Sequence, residues 1–164
     1  MERIFGLPAH PLFVHVPIVL IPLVCIGAIA IAIRPSLRRR FGWIFVAASA
    51  LMVVATLLAV SSGEAFDDLT GNAEPIDRHR DLAEMSRLLV FALFIAVLAL
   101  VLVGRYRDRS GASGAAGAIV AWMKPVMTAL AIVTVAAAVS STVWIARTGH
   151  EGTKVVWRSL EEDD

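Results

Sequence analysis

The sequence predicts an all-α integral membrane protein, a four-helix bundle with both termini on the outer side. Three observations carry this. Of 164 residues, 58% are hydrophobic and only 18% charged, with a mean hydropathy of +0.76. A soluble domain of this length has too much surface for its volume to hide so much apolar side chain. Four runs are close to the roughly 20 apolar residues that a helix needs to cross a bilayer. With no water in the hydrocarbon each run must satisfy its own backbone, which makes all four helices. The alternation of a barrel strand is absent from the Val/Ile-rich runs. Composition also excludes disorder, a collagen-like repeat and a disulfide scaffold.

The spans fall at about 11–33, 41–62, 82–103 and 125–147, in a single domain covering 1–164 with an outer tail at 148–164. The first has no Asp, Glu, Lys or Arg. It is too long for the apolar stretch of a signal peptide, carries prolines at 11, 17 and 22, and lacks a basic leader. Arg34, Arg38, Arg39 and Arg40 follow it, and basic residues stay on the cytoplasmic side, so the N-terminus is expected outside. The second span ends at Ser62, before an acidic loop at 63–74. Pro75 to Asp77 carry helix-start signals for the third. On its projecting turns His79, Leu82, Ala83, Ser86, Leu89 and Val90 share the inward face, while Arg80, Glu84 and Arg87 share another. Residues 110–117 read as a flexible linker. Pro125 suits the first turn of the fourth helix, and Gly149 its left-handed end. Val155, Val156 and Trp157 are then expected at the interface. Cys25 has no partner and reads as a small buried apolar residue.

Threading the chain through a membrane in this way separates its charges. The inner side holds eight bases and one acid, Asp108; the outer side holds seven bases and thirteen acids. The net charge of +1 is therefore a near-cancellation of two opposite ends, and nothing in it suggests nucleic acid.

All four histidines, His10, His15, His79 and His150, fall at the outer end. His10 and His15 are five residues apart, about 140° around a helix, and are poorly placed to share one ion. His15, His79 and His150 come from three helices and could converge. Imidazoles from facing helices can hold a haem iron, and three with a carboxylate suit zinc, copper or non-haem iron. The candidate cofactor-binding residues are thus His15, His79 and His150, with His10 in reserve and Glu64 and Glu151 as supporting carboxylates. The competing reading is structural. His10 caps, His79 and His150 are solvated, and His15 bonds a carbonyl freed by Pro17 or Pro22. The span centres lack ionisable residues, against a transporter built from one copy. No Walker loop, G-x-S-x-G or H-E-x-x-H is present, so an enzyme is not the expectation.

Three stretches carry a family resemblance. One is His10-Pro11-Leu12-Phe13-Val14-His15-Val16-Pro17-Ile18. Another is Ser62-Gly63-Glu64 followed by Arg78-His79-Arg80-Asp81-Leu82-Ala83. The last is Thr148-Gly149-His150-Glu151-Gly152 with Lys154-Val155-Val156-Trp157. Together they resemble a bacterial family of four-helix membrane proteins known as domain of unknown function 2231. Val16 stands where that family usually has Phe, and Thr153 where it often has Gly or Ala. The resemblance implies a multi-pass protein of the bacterial inner membrane with these histidines as its signature. Relatives of this kind are sometimes joined to cytochrome or Rieske domains. The expectation is therefore a haem b or transition-metal site supporting electron transfer, with the lipid bilayer and a redox partner or a second copy as company. The alternative is a non-enzymatic scaffold or assembly subunit with structural histidines.

Overall fold

The computed structural model describes the backbone of residues 3–4, 7–70, 74–112 and 117–161, and the side chains of 13–63, 78–110 and 122–154. Four helices make up almost all of it: α1 (Ala9–Ile33), α2 (Pro35–Thr70), α3 (Glu74–Ala112) and α4 (Gly117–Glu161). A two-residue antiparallel pair precedes them, with Arg3 opposite Pro8 and Ile4 opposite Leu7. The four predicted spans lie inside these helices, and each helix is long and apolar enough to cross a membrane.

Helix ends differ from the sequence expectation. A single residue, Arg34, separates α1 from α2. Pro35 starts α2 without an N–H, which leaves the carbonyl of Ile31 without its usual partner four residues on. Arg38 Nη1 donates to that carbonyl at 3.4 Å. The region read as an acidic loop is helical to Thr70, and the linker region is helical to Ala112 and again from Gly117. Pro125 lies inside α4 rather than at its start. Gly149 is also helical and does not end the helix, so residues 150–161 continue α4 instead of folding back. A helix already packed along a neighbour gains from each further turn, and this outweighs one permissive glycine.

The helices pack in a square, each against the two beside it, with slight contact across the diagonals. Ile21, Val24, Cys25, Ala28 and Ile31 form the buried stripe of α1 and meet Met52, Val90, Leu93, Val97, Val101 and Ala138. Cys25 is buried as expected. A second cluster joins Ala32, Leu100 and Met127. The opposite faces, such as Val19, Leu23, Ile44, Leu51, Phe91, Ile95, Ile132 and Val139, are apolar and exposed, which in a bilayer means lipid contact. Small residues set the approach: a methyl on Gly42 would meet Val101 at 3.0 Å.

Candidate functional site at the histidine end

The start of α1, the end of α2, the start of α3 and the end of α4 share one end of the bundle, and there α3 and α4 run on together. The inward stripe expected on α3 is present. Ser86 and Val90 are buried, and His79, Leu82, Ala83 and Leu89 are half-buried, while Arg80 and Glu84 are exposed. The stripe faces Thr148 of α4. Because Gly149 does not break the helix, Thr148 lies in an unbroken turn with Gly152 one turn further on.

Thr148 is the centre of the site. Its Oγ1 donates to the Trp144 carbonyl at 2.9 Å. With that proton spent, the oxygen accepts from the Ser86 hydroxyl at 2.9 Å. The Thr148 carbonyl accepts from His79 Nδ1 at 3.1 Å. A carbonyl can only accept, so Nδ1 carries the proton and, in the neutral ring, Nε2 carries the lone pair. Gly152 makes room for the ring, since a Cβ there would stand 3.0 Å from His79 Cε1 and 3.3 Å from Nδ1. Glu151 Oε1 receives Lys154 Nζ at 3.0 Å and approaches Arg78 Nη2 of α3 at 3.9 Å. Two of the three sequence motifs therefore dock onto each other: 78–83 on α3 packs against 148–154 on α4.

Of the other candidates, His15 and His150 are exposed. His150 follows Thr148 by two residues, about 200° around α4, and His15 lies on α1. Glu151 is engaged with Lys154 and Arg78. The side chains of His10 and Glu64 lie outside the described residues. Among the described residues no three His, Cys, Asp or Glu side chains come close enough to share a metal ion, so the convergence of His15, His79 and His150 is not formed there. Sequence reasoning placed His79 and Ser86 together on the inward face of α3 but missed Thr148, Gly152 and Arg78 as their company. The one available signal was the four-residue spacing of Thr148 and Gly152, which puts both on one helical face.

Two grooves border the bundle. One, between α2 and α3, is lined by Val54, Leu57, Leu58, Val60, Ser61 and Arg87. The other, between α1 and α4, includes Ile18, Pro22, Thr142 and Gly149. Both are mainly apolar, without the convergent polar groups that orient a substrate.

Residues 6–160 match the family described as a predicted membrane protein, DUF2231. No curated protein and no solved structure matches the chain.

Proposed function

The chain belongs to the DUF2231 family of predicted membrane proteins, and from that premise we propose that it is a non-enzymatic, multi-pass scaffold or assembly subunit of the bacterial inner membrane. Its working surface is the α3–α4 pair that stands clear of the bilayer at the histidine end. The observation that supports this reading is the contact of His79 with Thr148, buttressed by Ser86 and Gly152. The ring is used to hold two helices in register where no lipid supports them. Counted from the end of the apolar runs, residues 74–87 of α3 and 147–161 of α4 extend for about 20 Å at 1.5 Å per residue. The six acids of these two stretches, Glu74, Asp77, Asp81, Glu84, Glu151 and Glu161, are matched by six bases, Arg78, Arg80, Arg87, Arg147, Lys154 and Arg158, so a partner meets a surface of mixed charge and no net sign.

A second reading keeps haem b or a transition metal with electron transfer. One observation favours it: the Nδ1–H to carbonyl bond is the arrangement that orients a ligating imidazole through Nε2. One preparation separates the two. The protein is expressed with haem precursor and metals supplied, purified in detergent, and characterised by oxidised and reduced optical spectra and metal analysis. The scaffold reading expects a folded, colourless protein without stoichiometric metal. A Soret band or bound metal that His79→Ala removes would overturn it in favour of the redox reading.

A further inference from the structure

At the opposite end of the bundle, where α1 meets α2 and α3 ends, two arginines are left short of acceptors. Arg38 of α2 is only 8% exposed, and its guanidinium lies against α3, where a methyl on Gly104 would stand 2.9 Å from Nε. Its bond to the Ile31 carbonyl is long, at 3.4 Å. Arg105, next to Gly104, reaches the Arg39 carbonyl through Nη2, also at 3.4 Å. Arg105 Nε is buried with no hydrogen-bond partner. The Arg105 guanidinium carbon sits 5.8 Å from the centre of the Trp43 ring. Among the described residues no carboxylate is within ion-pair distance of either arginine. The end carries Arg34, Arg38, Arg39, Arg40, Arg105, Arg107, Arg109 and Lys124 against the single acid Asp108.

Arg38 is withheld from water, and Arg105, though half-exposed, keeps a buried Nε without a partner; a guanidinium N–H so placed is costly unless an anion completes it. The depth of the site identifies that anion. Trp43, Tyr106 and Trp122 are all about half exposed at this level, and aromatic residues so placed mark the headgroup layer. The acceptor abundant in that layer is phospholipid phosphate, whose oxygens suit the planar fork of arginine. The geometry points to a binding site for the phosphate of an anionic phospholipid on the α2–α3 seam. Arg105 is its principal ligand, Arg38 and Arg39 supply its field, and Trp43 forms its apolar wall.

Trp43 also reports on the site. In the full chain with Trp122, Trp144 and Trp157 changed to Phe, Trp43 is the sole indole fluorophore. The protein is reconstituted in phosphatidylcholine vesicles and quenched by brominated phosphatidylglycerol or brominated phosphatidylcholine. The relative binding constant is expected to favour the anionic lipid about fivefold, the effect of roughly one arginine at a membrane surface. Arg105→Gln should bring the ratio to about one, whereas Arg109→Gln, exposed one turn along, should leave most of it. Equal constants in the otherwise unaltered chain overturn the proposal, and this comparison stands even if Arg105→Gln fails to fold. An equal loss in Arg109→Gln overturns it in favour of diffuse surface charge. Loss of the preference on adding inorganic phosphate at constant ionic strength overturns the lipid as ligand in favour of the free anion.

Discussion

Thr148 is the only described residue of α4 whose side chain and carbonyl both serve a neighbouring helix. His79→Ala removes a hydrogen bond that crosses the seam, and a loss of about 1 kcal/mol is expected from thermal unfolding in detergent. Ser86→Ala should cost about half as much, because Thr148 keeps its bond to the Trp144 carbonyl. Deeper in α4, Ser141 presents the opposite case. It is 1% exposed, and its Oγ has no hydrogen-bond partner, whereas Thr134, Thr142 and Thr148 all bond back along the helix. Ser141→Ala is therefore expected to leave stability unchanged or raise it by up to about 1 kcal/mol in the same assay. A fall would show that the hydroxyl has a native acceptor.

Within an element, the same substitution has different consequences at different turns. Gly149 is helical, and a methyl added there would meet nothing within 4 Å, so Gly149→Ala should stabilise α4 by about 0.5 kcal/mol or more. Gly152→Ala gains the same helix propensity but pushes on the His79 ring, and it should show no net gain in melting temperature. In α1, a methyl on Gly27 would overlap the Phe45 ring. Gly27→Ala should destabilise the α1–α2 pair by about 2 kcal/mol, with recovery when Phe45→Leu is added. The four helices were legible because a bilayer demands a long apolar run, and composition alone announces one. The inward stripe holding His79 was legible for a similar reason, since it follows the 3.6-residue period. Helix ends were not: Pro125 and Gly149 carry local signals for starting and stopping, and a neighbouring helix overrides both. The partner of His79 was also beyond reach, because the stagger of α3 against α4 is a property of the packed pair and leaves no periodic trace in either.

For the whole molecule, the tryptophans of α4 measure the membrane. Trp122 and Trp144 are 22 residues apart, about 33 Å along the helix, close to the thickness of a hydrocarbon core. A single crossing by each puts the two ends of α3, and of α4, on opposite sides. In a Cys25→Ala background, cysteines at positions 84 and 153 should react with an impermeant thiol reagent from one face, and a cysteine at 109 only from the other. The arginine-rich end is expected to face the cytoplasm, so positions 84 and 153 should label in intact cells. Labelling of position 109 there would reverse the topology, and labelling of 84 without 153 would break the four-crossing arrangement.

The single-residue junction at Arg34 has a consequence for how the chain is built. Helices α1 and α2 cannot part at that end by more than that one residue allows. They are expected to enter the bilayer as one hairpin, and α3 with α4 as another. The gene should therefore tolerate being cut in two: fragments ending at Thr70 and beginning at Glu74, co-expressed, should find each other and co-purify. A cut at Arg34 should abolish assembly, because α1 alone has lost the only covalent restraint that holds its end to α2.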